Sequence, residues 1–186
     1  GATLVNNTIY EQTGDAIFIS AGSKNFHLRN NMLASSGYGV YVATDSQTGF
    51  TSNYNLFYPL SGGNVGYWQG TRATISDWKF ATFLDGDSLS TDPLFVSPVG
   101  PDGQLGYNRV AHVNHGGDDD FHLSSTSGSY HGGAWTPDPT SSPGIDRADA
   151  ADPYANETAP NGGYRNLGAY GNTAQASRSP AQYALI

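Results

Sequence analysis

Aromatic side chains recur in the first part of the chain at a spacing that would place them on one surface. Phe18 and Tyr41 lie 23 residues apart, each between aliphatic residues, and Tyr67 or Trp68 would continue the row. Flat rings beside the polar groups of Asn, Asp and Tyr are typical of sites that bind sugars. We therefore predict a carbohydrate-binding row of Phe18, Tyr41, Tyr67 and Trp68. In the alternative interpretation, loops from the later part of the chain fold over this face and bury it.

Three aspartates between residues 85 and 92 are candidates for a metal site. Asp85, Asp87 and Asp92 offer carboxylate oxygens in a turn-rich segment, and oxygen ligands suit a hard cation such as Ca²⁺. The segment lacks the complete EF-hand pattern, and Asp92 precedes Pro93, as turn-forming aspartates do. Ca²⁺ binding and ordinary turn formation both stay open, and no other cofactor is expected.

Histidines and aspartates are dense in residues 112–122. The segment contains His112, His115 and His122 together with three consecutive aspartates, so it could ligate a metal or supply an acid and a base. Gly-Gly-Asp runs also form ordinary turns, and no helical spacing fixes these side chains relative to one another. Turn formation is the favoured interpretation.

Catalysis on polysaccharides has few candidate residues. Lysis or epimerisation of uronates needs a base and a cation that holds the substrate carboxylate, and the repeats contain only Lys24 and Arg29 as cations. Hydrolysis needs two carboxylates at a set separation, whereas Asp15 and Asp45 lie beside small residues typical of turns. No catalytic residue is assigned. If the chain is an enzyme, we expect a polysaccharide lyase or epimerase, or a glycoside hydrolase.

An internal repeat predicts the elements that position these residues. Asn7, Asn31 and Asn55 follow one another at a constant step of 24 residues, and Ile17-Phe18-Ile19 aligns with Val40-Tyr41-Val42. A unit of about 24 residues with about three short β-prone runs is typical of one coil of a parallel β-helix. There, a stacked Asn tolerates the left-handed backbone of a tight turn and bonds the amide one coil away. The alternative is an antiparallel sandwich with its turn asparagines in accidental register.

Composition agrees with a fold that is poor in helix, and it argues against two classes of partner. The 186 residues include 24 Gly and 10 Pro but no Cys. A net charge of −8 repels phosphate backbones, so no nucleic-acid partner is expected. No apolar stretch approaches the length of a membrane span, so no membrane insertion is expected. Few Lys and many Tyr, Asn and Gly favour an extracellular or cell-surface bacterial protein.

The chain divides into two parts of one all-β domain. Residues 1–97 are predicted to form the β-helix coils, and residues 98–186 a loop excursion followed by a loop-rich C-terminal cap. The chain begins inside a repeat, with Leu4 already at a strand position. Because an open coil exposes unpaired backbone, we expect either further coils upstream of residue 1 or self-association through the N-terminal coil.

One short helix is expected, over residues 73–84. Ser76 is its predicted N-cap, because a serine hydroxyl there would accept from the first free backbone N–H groups. The residues expected to be buried are Ile75, Trp78 and Phe83.

Several short motifs in one order resemble those of a known superfamily. The coil turns carry the strings NNTI, RNNML and NYNLF. The later motifs are Ile75-Ser76-Asp77-Trp78, Asp92-Pro93-Leu94-Phe95, Asp120-Phe121-His122-Leu123, Ser142-Pro143-Gly144-Ile145-Asp146, Pro160-Asn161-Gly162-Gly163 and Gly168-Ala169-Tyr170-Gly171-Asn172-Thr173. In these motifs the chain resembles right-handed parallel β-helix repeat proteins of the pectate-lyase-like superfamily, and in particular the C-terminal part of bacterial secreted or cell-surface members. The resemblance implies a right-handed solenoid, and it implies fold more strongly than function.

Function is expected to involve polysaccharide. The resemblance implies a secreted or cell-surface domain that engages polysaccharide, either as a binding or scaffold module or as the C-terminal part of a larger carbohydrate-active protein. Two alternatives stay open. One is a structural surface protein that assembles head-to-tail through its solenoid ends. The other is a polysaccharide lyase or epimerase that acts on uronates.

Overall fold

The sequence repeat folds as a parallel β-solenoid. The computed structural model describes residues 1–181, so the last five residues of the predicted segment 98–186 lie outside the described residues. Strands one coil apart pair in parallel, with Leu4 opposite Leu28 and Phe18 opposite Tyr41. The predicted all-β parallel β-helix with coils of about 24 residues is confirmed.

The bounds of the regular elements show how short each strand is. The strands are β1 (Thr3–Val5), β2 (Thr8–Glu11), β3 (Ile17–Ile19), β4 (His27–Arg29), β5 (Met32–Ser35), β6 (Tyr38–Val42), β7 (Thr51–Asn53), β8 (Leu56–Pro59), β9 (Asn64–Trp68), β10 (Thr71–Arg72), β11 (Leu89–Ser90), β12 (Phe95–Ser97), β13 (Tyr107–Asn108), β14 (Val113–Asn114), β15 (Asp120–Leu123), β16 (Ser129–His131) and β17 (Ala134–Thr136). The helix is α1 (Ile75–Thr82), and a single 3-10 turn spans Thr44–Ser46. None of the described helices is long and apolar enough to cross a bilayer.

Each coil contributes one strand to each of three sheets. The first sheet has the order β1-β4-β7, the second β2-β5-β8-β11 and the third β3-β6-β9, to which β10 adds antiparallel. Side chains alternate across a strand, so Ile17, Ile19, Val40 and Val42 are buried inside the solenoid. The residues between them point outward, and these outer surfaces are where a ligand can bind.

Stacked asparagines hold the corner between the first and second sheets. The side-chain amide of Asn7 donates to Oδ1 of Asn31 over 2.9 Å, and that of Asn31 donates to Oδ1 of Asn55 over 3.0 Å. The same two oxygens also accept from the backbone N–H groups of Asn7 and Asn31. We call Asn7, Asn31 and Asn55 the asparagine ladder. It satisfies backbone groups that the corner buries, as a buried polar backbone requires.

The asparagine ladder ends on a buried carboxylate. The amide of Asn55 donates to Oδ1 of Asp85 over 3.2 Å, and the indole N–H of Trp78 donates to Oδ2 over 2.7 Å. Ser88 occupies the next position of the stack, where its hydroxyl accepts from the backbone N–H of Asn55 over 2.8 Å. Asp85 is 1% exposed, so it acts as the terminal acceptor of the stack inside the protein.

The left-handed backbone expected at the asparagine ladder lies one residue earlier. Asn6, Asn30 and Tyr54 have φ of 56°, 58° and 56°. The chain turns the corner at these residues. The residue after each of them places its side-chain amide in the asparagine ladder. Tyr54 shows that the third coil adopts the same backbone without an asparagine, although left-handed φ favours Asn.

The N-cap of helix α1 lies two residues before the predicted one. Thr74, rather than Ser76, is the N-cap: its hydroxyl accepts from the backbone N–H of Asp77, and the Asp77 carboxylate accepts in return from the N–H of Thr74. The reciprocal capping box fixes this choice, since Thr74 is followed three residues later by an acidic side chain. Phe83 ends the helix with φ of 56° and is 88% exposed, so its predicted burial is wrong.

Trp78 closes the C-terminal end of the coils. Its side chain is fully buried, as predicted, and packs against Phe50, Phe57 and Trp68. Gly66 allows this approach, because a Cβ there would lie 2.4 Å from the Trp78 ring. Helix α1 therefore completes the apolar core where the regular coils stop.

The rest of the chain packs back onto the second sheet and its corner. Strands β12 and β15 pair antiparallel, and β13–β14 and β16–β17 form two hairpins. Leu123, Ile145 and Leu167 then pack with Met32 and Leu56 of the coils in a second apolar cluster. This cluster contains residues from both sides of the predicted boundary at residue 97, and that boundary stays a prediction.

The asparagine ladder predicts a large cost for removing one rung. Asn31→Ala takes the Oδ1 acceptor from the amide and backbone N–H of Asn7 and the amide donor from Oδ1 of Asn55, so we expect a loss of roughly 2 to 4 kcal/mol in the free energy of unfolding. Urea unfolding measures this loss. Asn156→Ala is the control, because Asn156 is exposed, and it should change stability by less than about 0.5 kcal/mol. Equal unfolding midpoints for the two variants would contradict the ladder.

Candidate functional site

The predicted aromatic row forms on the outer surface of the third sheet. Phe18, Tyr41 and Tyr67 pair in register on β3, β6 and β9. Neighbouring ring centroids are 4.5 Å apart in both steps, with interplanar angles of 15° and 14°. The three rings therefore stack on one another along the solenoid, and we call them the aromatic ladder.

The stacking changes what the aromatic ladder offers to a sugar. The rings cover each other's faces, so the ladder differs from the expected row of open faces. Phe18 remains 61% exposed, whereas Tyr41 and Tyr67 are half-buried. Tyr38 packs beside both tyrosines, and its hydroxyl hydrogen-bonds that of Thr71 over 2.9 Å. The ladder presents one free ring face at Phe18 and, beyond it, mainly ring edges.

Trp68 lies away from the aromatic ladder. It pairs with Val42, an inward position, and its ring packs against Phe50 and Trp78 at centroid distances of 5.8 Å and 6.3 Å. Trp68 thus packs against the apolar core, and Tyr67 is the residue that continues the row.

The three candidate metal ligands make separate contacts. Asp85 is buried and accepts through both carboxylate oxygens, as described above. Asp87 accepts from the side-chain amide of Asn53 over 2.9 Å, and Asp92 accepts from the hydroxyl of Tyr58 over 3.1 Å. Within residues 1–181, no three His, Cys, Asp or Glu side chains come together as a group that could hold a metal ion.

The histidines of residues 112–122 also separate. His115 contacts Asp102 over 2.6 Å in the loop excursion, whereas His122 contacts Asp120 over 2.7 Å on β15. Burial opposes ionisation of Asp120, but hydrogen bonds from the ring and backbone N–H of His122 outweigh it and hold the pKa of that carboxyl below its ordinary value. These pairs are local contacts of the loops rather than one convergent site.

A serine, a histidine and an aspartate come together in a way the sequence did not indicate. The hydroxyl of Ser129 lies 2.9 Å from Nε2 of His131, and Nδ1 of His131 lies 3.9 Å from Oδ2 of Asp120. The second distance exceeds a hydrogen bond. Ser129 is fully buried, so its hydroxyl does not face a substrate. The group therefore lacks the accessible nucleophile of a Ser-His-Asp site.

An open depression of about 550 Å³ lies on the outer surface of the first sheet. Its floor is formed by outward-facing residues of β1, β4 and β7, and the loop after α1 forms one wall. The lining residues that carry the argument are His27, Arg29, Asn53, Tyr54, Phe83 and Asp149. Polar floor groups beside an exposed aromatic wall are typical of ligand sites.

A second depression of about 520 Å³ adjoins the first. Both are lined by Tyr54 and Gly86, so the two depressions meet at these residues. Tyr164, which is 47% exposed, and the charged side chains of Lys79, Asp87 and Arg147 line the second one. We call the two depressions together the Tyr54 cleft.

Backbone contacts hold the wall of the Tyr54 cleft. The N–H of Phe83 donates to the carbonyl of Lys79 over 2.9 Å and ends α1. The ammonium of Lys79 donates to the carbonyls of Gly86 and Ser88 over 3.0 Å and 2.9 Å. Together with the buried Asp85, these bonds fix the loop that places Phe83 at the rim.

The arginine on the floor of the first depression is paired with carboxylates. The guanidinium of Arg29 lies 3.0 Å from the carboxylate of Asp152 and 3.7 Å from that of Asp149. The nearby carboxylate of Asp87 raises the pKa of the Tyr54 phenol, so this hydroxyl stays protonated and able to donate at neutral pH. The cleft therefore offers a ligand mainly hydroxyl, amide and carboxylate groups.

Comparisons with known proteins do not assign a function to the chain. No protein-family model, curated protein or solved structure matches the chain. Of the cleft residues, Tyr54 could have been noticed in the sequence, because it replaces the Asn found at the same position of the two earlier coils. Phe83 could not have been found in this way, since its exposure depends on where α1 ends.

The structural role of Asp85 predicts a response that is independent of calcium. Asp85→Asn turns an amide toward donors that need an acceptor, so we expect a loss of about 2 to 3 kcal/mol in the free energy of unfolding, equal in CaCl₂ and in EDTA. Asp87→Asn, in the same loop but exposed, is the matched control and should change little. If Ca²⁺ raised the melting temperature of the wild-type chain but not of Asp85→Asn, this segment would be a cation site instead.

Proposed function

We propose that this chain is a polysaccharide-binding β-helix domain. The observation that carries the proposal is the Tyr54 cleft, an open groove with an exposed aromatic ring on a polar floor. The motif resemblance supports a right-handed solenoid of the pectate-lyase-like kind, similar to the C-terminal part of bacterial secreted or cell-surface proteins. Composition supports the extracellular or cell-surface location in the same way.

Sugar recognition needs the two kinds of group that the cleft combines. A sugar ring has an apolar face of C–H groups and a rim of hydroxyls, so an aromatic face and nearby donors and acceptors bind it together. Phe83 supplies the aromatic face, and Asn53, Tyr54 and Asp149 supply polar groups within the same depression.

The aromatic ladder is a second contact surface within this proposal. Phe18 presents an open ring at one end, and the ladder lies on a different sheet from the cleft. Polysaccharide chains are long enough to reach two surfaces of one domain, and two weak contacts on one chain reinforce each other. We propose Phe18, Tyr41 and Tyr67 as this auxiliary surface.

Binding fits the cleft better than uronate lysis or epimerisation. Such chemistry needs a cation that holds the substrate carboxylate in the transition state. Arg29 is the cation on the floor of the first depression, and it is already engaged by Asp149 and Asp152. The proposal therefore assigns a binding or scaffold role to this domain, alone or as part of a larger carbohydrate-active protein.

The test of the proposal is the loss of glycan binding in a cleft variant. Phe83→Ala removes the aromatic face, and we expect affinity on a polysaccharide array to fall about 3- to 10-fold, as loss of an aromatic contact of about 0.5 to 1.5 kcal/mol implies. Phe80→Ala is the matched control, because Phe80 is 81% exposed on α1 but lies outside the cleft lining. We expect it to bind as the wild-type chain does.

Two other outcomes would redirect or overturn the proposal. Tyr41→Phe removes one hydroxyl from the aromatic ladder while keeping its stacked ring, so a larger loss in this variant than in Phe83→Ala would place the main site on the third sheet. Absence of wild-type binding to every polysaccharide on the array would contradict the proposed function.

A further inference from the structure

The two depressions of the Tyr54 cleft are large enough together for a chain rather than a single sugar. Their volumes are about 550 Å³ and 520 Å³, and each alone falls within the range of a complete small-molecule site. They share Tyr54 and Gly86, so a ligand can pass from one to the other without leaving the surface. An extended ligand that spans both would contact Phe83 in one depression and Tyr164 in the other.

Two of the three Lys and Arg side chains that line the cleft, Arg29 and Lys79, are held by partners inside the protein. Arg29 lies between the carboxylates of Asp149 and Asp152. Lys79 donates to two backbone carbonyls that belong to the cleft wall. An anionic ligand would have to compete with these contacts, and the ligand would then leave buried carbonyl or carboxylate oxygens without a donor.

The remaining charges disfavour an anionic polymer further. Asp87 lies exposed beside Tyr54, and Asp146 and Arg147 line the same second depression, so the one exposed arginine there has an acidic neighbour. The chain as a whole carries a net charge of −8. A polymer with a carboxylate on each sugar would therefore be repelled on approach and would find few free cations in the groove.

We infer that the Tyr54 cleft binds an extended neutral glycan. The inference rests on the proposed function and names its substrate class. Carboxylates suit this ligand, since the exposed Asp87 and the half-buried Asp149 can accept from sugar hydroxyls. The protonated hydroxyl of Tyr54 can donate at the junction between the depressions. Phe83 and Tyr164 then supply apolar ring faces at the two ends of the cleft.

Matched pairs of polymers test the substrate class. Affinity electrophoresis compares hydroxyethyl cellulose with carboxymethyl cellulose, and fully methyl-esterified polygalacturonan with polygalacturonate. We expect retardation by a neutral member at least about 10-fold stronger than by its anionic partner, and unchanged between about 50 mM and about 500 mM NaCl. Phe83→Ala should weaken this retardation by about 3- to 10-fold, and Phe80→Ala should keep it.

The possible failures separate the inference from the proposed function. Stronger retardation by an anionic member, weakening with NaCl, would overturn the neutral class while leaving polysaccharide binding in place. Retardation by none of the four polymers would overturn both claims. Equal retardation by both members of a pair would also contradict the inference, because it would show that the cleft does not discriminate by charge.

A charge variant gives an independent readout. Asp149→Asn removes one of the two carboxylates beside Arg29, so we expect the ratio of affinity for carboxymethyl cellulose to that for hydroxyethyl cellulose to rise several-fold. Asp45→Asn makes the same change of net charge outside the cleft and is the control. Equal gains in the two variants would attribute the effect to net charge and contradict the role given to the cleft.

Discussion

The fold depends on how one corner of each coil satisfies its buried backbone. At this corner the asparagine ladder joins successive coils through Asn7, Asn31 and Asn55. The amides of Asn7 and Asn31 each donate to Oδ1 of the next asparagine, and these two oxygens also accept a backbone N–H. Such a stack needs acceptors at its end for both N–H groups of the last amide, and the Asn55 amide donates there to the hydroxyl of Ser52 and to one further acceptor. Asp85 supplies that acceptor and also binds the indole of Trp78. The corner therefore fixes the register of the coils and the position of the helix that closes them.

The same constraint builds the candidate site. Because Asp85 is held inside the solenoid, the chain on either side of it has a fixed path: Phe83 lies at the rim of the cleft before it and Gly86 at the junction after it. The segment that brings Asp149 to the cleft is tied to the left-handed residue of the corner, since the backbone N–H of Asp149 donates to Oδ1 of Asn30 over 3.0 Å. A binding groove on a rigid solenoid thus arises where the regular coils end and the returning chain packs against them.

The repeat made much of the fold predictable, and the parts that were not predictable depend on contacts far apart in sequence. The step of 24 residues predicts the stacked amides, and the alignment of Phe18 with Tyr41 is confirmed by strand pairing. The exact turn residue differs by one position, because the amide stack and the left-handed backbone divide between neighbouring residues such as Asn30 and Asn31. Phe83 could not be predicted correctly for a different reason. Its apolar side chain at the end of a helix suggests burial, but Trp78 already fills the core there and leaves Phe83 exposed.

Amide hydrogen exchange at the corner tests the central claim most directly. In the wild-type chain we expect the backbone amides of Asn31 and Asn55 to exchange only through global unfolding, at the rate shown by Val40 in the core. In Asp85→Asn, exchange at Asn55 should become faster by an order of magnitude or more relative to Val40, because the hydroxyl of Ser88, which accepts from the backbone N–H of Asn55, is itself held by donating to the Asp85 carboxylate. Rapid exchange of these amides in the wild-type chain, or unchanged relative protection in the variant, would contradict the account.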